Sequence, residues 1–360
     1  MAKVLMKGNE AIGEAAIRAG CIHFFGYPIT PQSEVPEYLS RRLPEVGGLY
    51  LQAESEVAAS NMIYGAAGVG VRVLTTSSSP GISLMAEGLS YIAACELPCV
   101  LVNIMRAGPG LGGILPAQGD YLQATKGTGH GDFNLIVLAP ASVQEAVDLM
   151  LVAFELAEKY RNPVILIGDG MIGQMMEPVE FPEVKVGEPL GPTDYALTGC
   201  KGRERRIVNS LYLDAEKLNT HNEKLKAKFE LITENEQRWE YYNTEEPFDV
   251  LLTGFGMMAR ICKTAIDVLK GEGINIGLFR PITAKPFPYK PLRELIDRSK
   301  RVLCVEMNMG QMLLDVQFAA QGTVPIDFYG KAGGIIPSVE DVVGQLRASI
   351  AKIGGSRSGK

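Results

Sequence analysis

Short apolar runs alternate with amphipathic segments along the first half of the chain. Cys21–Phe25, Val71–Thr76 and Pro98–Met105 are mostly apolar, and each is followed by a turn and then a segment with helical spacing. A strand buried on both faces of a parallel sheet has such a near-continuous apolar sequence. The alternation therefore predicts a doubly wound α/β domain with a parallel sheet over residues 1–175.

A different pattern follows this first domain. Prolines interrupt the chain between positions 178 and 192, and the charged segment 213–242 places apolar residues on one helical face, namely Leu218, Leu225, Phe229, Ile232 and Trp239. The α/β alternation then resumes at Phe248. We therefore predict a linker with an amphipathic helix over 176–246, and a second doubly wound parallel-sheet domain over 247–354.

Composition narrows the class of protein. With 46% hydrophobic and 21% charged residues, the 360-residue chain has the composition of an ordinary globular protein. Its net charge of −6 gives no basic field that would attract nucleic acid. The six cysteines are scattered without a C-x-x-C pair, which argues against disulfides and against zinc or iron–sulfur ligation in this chain. Because the sequence shows no secretory leader and no apolar window of membrane length, we expect a cytoplasmic protein without membrane contact.

One acidic residue occupies a position suited to catalysis. A short extended run ends just before Ser55, which can cap a helix of small residues, and Glu56 falls in the first turn of that helix. Small side chains allow a flat ligand ring to approach such a helix closely. A carboxylate there suits acid–base chemistry, although an ordinary first-turn acid has the same pattern. The neighbouring Glu54 is a second candidate for the same role.

Two further polar residues follow predicted strands. Thr30 lies in the proline-rich loop after strand 21–25, and Arg106 comes directly after strand 98–105. Ligands of doubly wound sheets bind where the strands end, and an arginine there suits bidentate recognition of a small carboxylate. We predict that Thr30 and Arg106 converge with Glu56. The alternatives are an ordinary turn hydroxyl for Thr30 and a solvated strand terminus for Arg106.

An apparent metal motif is incomplete. Residues 168–170 read Gly-Asp-Gly, like the start of the magnesium motif of thiamine-diphosphate enzymes, but the asparagine that this motif requires further along is missing. Without that asparagine, the metal would lack a ligand and the diphosphate would lack an anchor. Asp169 is therefore better explained as a residue of a tight turn, and we predict no metal site in this chain.

Six blocks of sequence together resemble one family of enzymes. The blocks are Gly26–Pro31 (Gly-Tyr-Pro-Ile-Thr-Pro), Glu54–Ala59, Ser78–Gly81, Val102–Arg106, Arg280–Pro288 and Val305–Gly310. In this order they resemble the α subunit of 2-oxoacid:ferredoxin oxidoreductases, and the resemblance covers nearly the whole chain. Within the family the sequence is most similar to the 3-methyl-2-oxobutanoate (branched-chain) type, followed by the 2-oxoglutarate type.

The resemblance implies a fold and a role for each candidate residue. The first domain would be similar to the pyrimidine-binding domain of thiamine-diphosphate enzymes, and the second to the transketolase C-terminal domain. Glu56 would be the catalytic glutamate that hydrogen-bonds the aminopyrimidine ring of thiamine diphosphate, with Pro28 and Ile29 as further cofactor contacts. Thr30 and Arg106 would bind the 2-oxoacid substrate.

The resemblance also implies partner subunits, because this chain lacks the diphosphate motif and a set of cluster-binding cysteines. A β subunit would hold the diphosphate and Mg²⁺, and a γ subunit and a small ferredoxin-like subunit would complete the complex, with 4Fe–4S clusters on partner subunits. The complex would convert a 2-oxoacid and coenzyme A to acyl-CoA and CO₂ and pass electrons to ferredoxin. The alternatives are a 2-oxoglutarate- or pyruvate-specific member, and a non-catalytic scaffold or sensing subunit with the same fold.

Overall fold

Fourteen strands and twelve helices make up the described part of the chain. This computed structural model describes residues 3–182 and 194–355, so residues 183–193 of the predicted linker lie outside the described part. The strands are β1 (Val4–Lys7), β2 (His23–Gly26), β3 (Leu49–Gln52), β4 (Leu74–Ser77), β5 (Val100–Met105), β6 (Ile136–Leu138), β7 (Val164–Asp169), β8 (Met176–Val179), β9 (Trp239–Tyr242), β10 (Val250–Thr253), β11 (Ile276–Pro281), β12 (Thr283–Lys285), β13 (Arg301–Glu306) and β14 (Ile326–Gly330). The helices are α1 (Gly8–Arg18), α2 (Glu34–Glu45), α3 (Glu56–Gly68), α4 (Pro80–Ala94), α5 (Tyr121–Lys126), α6 (Val143–Tyr160), α7 (Gly170–Gln174), α8 (Ala215–Asn235), α9 (Gly256–Gly271), α10 (Tyr289–Ile296), α11 (Leu313–Ala320) and α12 (Val339–Gly355).

The larger sheet has seven strands in the order β12-β6-β7-β5-β4-β2-β3. Its strands are parallel except for β12, which pairs antiparallel with β6. The chain passes from β2 to β3 on one side and then returns to place β4 on the other side of β2. Strands β2 and β4 pair only at Phe24 and Leu74. This reversal of strand order is a topological switch point, and open α/β sheets have their ligand-binding crevice there, at the carboxyl ends of the strands, here β2 and β4.

The smaller sheet has five strands in the order β14-β13-β10-β11-β9. Four of them are parallel, and β9 pairs antiparallel with β11. Two parallel sheets with intervening helices confirm the predicted α/β class. The chain also exchanges strands between its halves, since β12 follows a strand of the smaller sheet but pairs with β6 in the larger one.

The linker differs from its prediction at the C-terminal end. The amphipathic helix is present as α8, with Leu225 and Ile232 buried, but it ends at Asn235. Trp239, which was expected on the same helical face, begins strand β9 instead. The sequence Trp-Glu-Tyr-Tyr is rich in aromatic residues, which favour strands, and the free edge of β11 provides a partner. The short antiparallel pair of β1 with β8 was not predicted either.

Buried apolar layers cover both faces of the larger sheet. Along β5, Val100, Val102 and Ile104 face one layer, whereas Leu101 and Met105 face the other. This is why the strand has an unbroken apolar sequence. In residues 3–182 and 194–355, no helix has both the length and the apolar character needed to cross a membrane. The six cysteines are free thiols, and Cys200 alone among them is exposed.

Candidate functional site

Four neighbouring strands of the larger sheet end at one place. Strands β3, β2, β4 and β5 run parallel and lie side by side in that order. Glu56 follows β3, Thr30 follows β2, the segment 77–81 follows β4 and Arg106 follows β5. The structure therefore brings the three residues predicted from sequence to the same edge of the sheet, at the crevice described above.

Arg106 lies buried with part of its hydrogen-bonding capacity unused. Its side chain donates from Nη1 to the carbonyl oxygen of Thr30 (3.0 Å) and from Nη2 to the carbonyl oxygen of Leu111 (3.1 Å). Its Nε has no hydrogen-bond partner among the described residues. A buried donor without a partner costs about 1–3 kcal/mol, and a guanidinium offers five donors in a plane that matches a carboxylate. The site is therefore suited to a small anion.

Thr30 meets Arg106 through its backbone and not through its side chain. The prediction placed the hydroxyl toward a substrate carboxylate, whereas the contact formed within the protein uses the carbonyl oxygen. Asn9 Nδ2 (2.8 Å) and Gln174 Nε2 (3.1 Å) donate to the next carbonyl, that of Pro31, and fix the loop. The side chain of Thr30 is exposed and remains available to a ligand.

The predicted cofactor contacts lie on the same loop. Pro28 is exposed and Ile29 is half-buried. Gln32 holds the loop from behind, since its Nε2 donates to the carbonyl oxygen of Tyr27 (3.3 Å). The same side chain accepts from Thr76 Oγ1 (2.6 Å), which ties the loop to the end of β4. Pro28 and Ile29 are therefore placed at the rim of the crevice by a polar contact that sequence analysis did not identify.

Glu56 is enclosed at the start of α3. Ser55 caps the helix as predicted, because its Oγ accepts from the backbone N–H of Ala58 (3.1 Å). The side chain of Glu56 is buried, whereas Glu54 is exposed. A Cβ added to Gly81 would lie 2.5 Å from Oε1 of Glu56 and 2.0 Å from Oγ of Ser77. The start of α4 therefore packs directly on the Glu56 carboxylate, and a glycine is required at position 81.

A ring of polar residues that was not predicted from the sequence lies beside Arg106. Ser79 Oγ accepts from the backbone N–H of Arg106 (3.0 Å) and donates to Oδ2 of Asp120 (2.5 Å). Asn103 accepts from Ser79 N–H (3.0 Å) and donates from Nδ2 to Asp120 Oδ2 (2.9 Å). Burial raises the pKa of Asp120, although the hydrogen bonds from Ser79 and Asn103 oppose that shift. The signal in the sequence is the run of hydroxyl residues at 75–79, which continues an otherwise apolar strand.

Asp169 of the Gly-Asp-Gly turn serves a structural purpose. Its Oδ1 accepts from the N–H groups of Met171 (3.1 Å) and Ile172 (3.2 Å) and caps α7. Its Oδ2 accepts from the N–H of Met257 (3.2 Å) at the start of α9, in the second half of the chain. Burial raises the pKa of Asp169 to about 6. Among the described residues, no three metal-binding side chains lie close enough together to hold an ion.

Two of the sequence blocks that resemble the family lie in the second half of the chain, and the charged residues Arg280 and Glu306 of these blocks have partners within the protein. Arg280 donates from Nη1 to Glu145 Oε2 (2.7 Å), and its Nε lies 2.9 Å from Oε2 of Glu240. Glu306 accepts from the N–H groups of Met312 (2.8 Å) and Leu313 (2.9 Å). Arg280 is therefore paired with two carboxylates, although its Nε makes no hydrogen bond, and the Glu306 carboxylate is occupied by backbone donors.

Two family models match the chain. The model described as "Pyruvate flavodoxin/ferredoxin oxidoreductase, thiamine diP-bdg" matches residues 14–237, and the one described as "Pyruvate:ferredoxin oxidoreductase core domain II" matches residues 249–342. Among curated proteins, the chain is 47% identical over 347 residues to the ketoisovalerate oxidoreductase subunit VorB of Methanothermobacter thermautotrophicus, with 96% of this chain and 98% of that protein covered. It is 35% identical to the 2-oxoglutarate synthase subunit KorA of the same organism, with 95% and 97% covered.

Solved structures show the same relationship. A 2-oxoglutarate:ferredoxin oxidoreductase from Magnetococcus marinus, with 2-oxoglutarate, coenzyme A and succinyl-CoA bound, matches with a TM-score of 0.88 and 26% identity. That match covers 97% of this chain, which spans 65% of the length of the Magnetococcus chain. A split-gene transketolase matches with a TM-score of 0.58 and 13% identity, covering 96% of this chain and 98% of the other, and so shares the fold.

Proposed function

Because the chain belongs to the 2-oxoacid:ferredoxin oxidoreductase family, as its sequence blocks predicted, we propose that its strand-end crevice binds a 2-oxoacid and the aminopyrimidine end of thiamine diphosphate. The observation that carries the proposal is the Arg106 guanidinium, buried beside Thr30 with its Nε unpaired. A 2-oxoacid offers a carboxylate that would satisfy this donor. Thr30, at the rim of the crevice, is close enough to orient the same end of the substrate.

The residues around Glu56 fit the aminopyrimidine ring. The Glu56 carboxylate is buried between the N-termini of α3 and α4. Because Gly81 has no side chain, the start of α4 can approach the Glu56 carboxylate and the Ser77 hydroxyl closely. When bound, thiamine diphosphate supplies the carbon nucleophile and the electron sink for decarboxylation. Glu56 would share a proton with the ring nitrogen and so control the protonation state of the aminopyrimidine, while Pro28 and Ile29 would contact the ring from the loop.

The substrate that we propose is 3-methyl-2-oxobutanoate, also called ketoisovalerate, which becomes an acyl-CoA and CO₂. The identity of 47% to a ketoisovalerate oxidoreductase subunit, against 35% to a 2-oxoglutarate synthase subunit, supports this choice. The described part of the chain places one arginine, Arg106, at the meeting of the strand ends. A second carboxylate on the substrate would require a further cation, which would have to come from a partner.

We propose that partner subunits complete the site. The relatives are named as subunits, and this chain lacks the diphosphate and Mg²⁺ motif. The loop after Arg106 also exposes apolar side chains, with Leu111 85%, Ile114 61% and Leu115 55% accessible. Exposed apolar groups beside a polar site are typical of a surface that another chain covers. A β subunit would supply the diphosphate and Mg²⁺ site, and γ and ferredoxin-like subunits with iron–sulfur clusters would carry electrons to ferredoxin.

The substitution Glu56→Gln tests the proposal in the assembled complex. The amide keeps the shape of the side chain but removes the charge that controls the ring, so 2-oxoacid-dependent reduction of an artificial electron acceptor should fall by about 10²–10⁴-fold. Size-exclusion chromatography should show an intact complex.

The matched control is Glu54→Gln, which changes the exposed acid two positions earlier. We expect its turnover to stay within about twofold of the wild type, because surface substitutions away from a site have small effects. Near-normal turnover of Glu56→Gln, or an equal loss with Glu54→Gln, would exclude the assignment. A panel of 2-oxoacids assayed with the wild-type complex then tests the substrate: a preference for 2-oxoglutarate over 3-methyl-2-oxobutanoate would replace the proposed substrate and leave the site assignment intact.

A further inference from the structure

Ser79, in the polar ring beside Arg106, has an unusual backbone conformation. Its φ of 30° and ψ of −84° lie in a region that residues with a side chain rarely adopt. Such a conformation persists only where surrounding contacts hold it, and it is concentrated at functional sites. Ser79 immediately precedes α4, and its Oγ accepts the backbone N–H of Arg106. The strained residue is therefore part of the local support of the arginine.

Asp120 provides the acceptor that holds Ser79. Its Oδ2 receives both the Ser79 hydroxyl (2.5 Å) and the Asn103 amide (2.9 Å), and Asn103 in turn receives the Ser79 N–H. Ser79 and Asn103 are both buried, so water cannot readily replace Asp120 as the acceptor of their hydrogen bonds. The three residues form a closed ring around one carboxylate oxygen.

The carboxylate of Asp120 does not cap the helix that Asp120 precedes. Asp120 occupies the N-cap position of α5, yet its side chain accepts no hydrogen bond from that helix. Aspartate is favoured at N-caps because it accepts such a bond. Here the carboxylate turns away from its own helix toward Ser79 and Asn103, so a capping role does not account for it.

We propose that Asp120 is a positioning residue for Arg106: acting through Ser79, its carboxylate holds the arginine where it receives the carboxylate of the 2-oxoacid. The proposal rests on the function proposed above for Arg106. The backbone of Arg106 is held by Ser79, and its side chain by the carbonyls of Thr30 and Leu111. Loss of the Ser79 contact leaves the side-chain contacts and the bridge to Pro116, but frees the backbone N–H of the arginine and so weakens its placement.

The test compares Asp120→Ala with Asp120→Asn in the assembled complex. The alanine removes the acceptor, so the KM for the 2-oxoacid should rise roughly ten-fold, as expected when hydrogen bonds to a binding group are lost. Asparagine can place its Oδ1 where Oδ2 now accepts both donors, so its KM should stay within about twofold of the wild type. The affinity of both variants for thiamine diphosphate should equal that of the wild type, because the hydrogen bonds of Asp120 go to Ser79 and Asn103 and not to Glu56.

Each other outcome has a definite meaning. An unchanged KM in Asp120→Ala, an equal rise in Asp120→Asn, or a parallel loss of cofactor affinity would overturn the positioning role. Arg106→Met separates this from a failure of the proposed function: if it leaves KM unchanged, Arg106 does not bind the substrate. If Asp120→Ala does not assemble, Ser79→Gly serves instead, since glycine adopts the same φ without strain and lacks the hydroxyl. Asp132→Ala, an exposed acid on a nearby loop, is the matched control and should match the wild type.

Discussion

Two buried polar clusters lie at the ends of the loop that follows β5, and they differ in how completely they are hydrogen-bonded. The strand-end cluster consists of Glu56, Ser77, Ser78 and Arg106. Ser77 Oγ, Ser78 Oγ and Arg106 Nε have no partner among the described residues. Native proteins leave few buried polar atoms unpaired, since each one costs stability. Ten buried side-chain atoms lack a partner among the described residues, and these three lie together at the strand ends, which supports the proposal that a ligand completes their hydrogen bonding.

The junction cluster, which joins the two halves of the chain, consists of Gln118, Asp169, Glu306 and Asn308. Gln118 exchanges backbone and side-chain hydrogen bonds with Met307, and its Nε2 donates to the carbonyl oxygen of Phe255 (2.8 Å). Asn308 Nδ2 donates to both the Gln118 carbonyl and Glu306 Oε2, at 2.8 Å each. A polar network that satisfies itself in this way rigidifies the fold and has no need of a ligand.

Two buried charged residues that both lie in family-like sequence blocks differ in their hydrogen bonding. Glu306 and Arg106 both belong to blocks shared with the family, and both are buried and charged. The contacts of Glu306 are supplied by the N-terminus of α11 and by Asn308, whereas Arg106 retains an unpaired nitrogen. For this pair, hydrogen-bond saturation, and not burial or charge, distinguishes the structural residue from the candidate ligand-binding one. Arg280 also has an unpaired Nε, but its guanidinium forms ion pairs with two carboxylates, whereas Arg106 has no such pair among the described residues.

Gly81→Ala should have the largest effect, because it fills the space beside Glu56 in the strand-end cluster. The added methyl group would stand 2.5 Å from Glu56 Oε1 and must displace either that carboxylate or the start of α4. A displacement of this size near a reacting group costs on the order of 10²-fold in rate. We expect the turnover of the assembled complex to fall about 100-fold, and the overpacking to lower its stability by about 1–3 kcal/mol without preventing assembly.

Gly65→Ala is the matched control for that experiment. Gly65 lies in α3 and would place a Cβ with no atom within 4 Å. Its turnover should be unchanged and the helix slightly more stable, by about 0.5–1 kcal/mol. Equal turnover of the two alanine variants would show that the space beside Glu56 is not used by a ligand, and the contrast between the clusters would lose its functional meaning.

Asp169→Ala should affect stability and not catalysis, because it opens the junction cluster. The substitution removes the acceptor for three backbone N–H groups at the starts of two helices. Loss of the two caps should cost about 2 kcal/mol, seen as a lower thermal unfolding midpoint of the complex at neutral pH. The KM for the 2-oxoacid should stay within about twofold, and the exposed Asp148→Ala serves as a control. A higher KM for the 2-oxoacid with an unchanged unfolding midpoint would show instead that Asp169 contributes to ligand binding.

The sequence was sufficient for the features that depend on local patterns. The apolar run of β5 and the Ser55 cap follow from residues that are near one another in the chain. The convergence of Thr30, Glu56 and Arg106 follows from a general rule, because the carboxyl ends of parallel strands share one edge of the sheet. Asp120 and Ser79 are 41 positions apart, and their contact depends on how the loop after β5 folds back. Strands β9 and β12 were missed because each is short and forms only where another strand offers a free edge. The use of the Thr30 carbonyl instead of its hydroxyl depends on the turn of the loop, which residue types do not determine.

Lys285 lies outside the junction cluster, and its substitution should have the smallest effect. It is a half-buried lysine on β12 whose Nζ donates to the carbonyl oxygen of Thr125 (2.6 Å), and no carboxylate pairs with it among the described residues. Burial lowers its pKa to about 8, below the value of 10.5 expected in the unfolded chain. The folded state therefore disfavours the charged form, and this cost is present below pH 8 and disappears as the pH rises toward 10.5.

Lys285→Met should stabilise the complex at pH 7 by about 1 kcal/mol, with the difference in unfolding midpoint shrinking by about pH 9.5. The exposed Lys290→Met should show neither change, and a Lys285→Met variant that is less stable at pH 7 would mean that the ammonium group is satisfied where it lies.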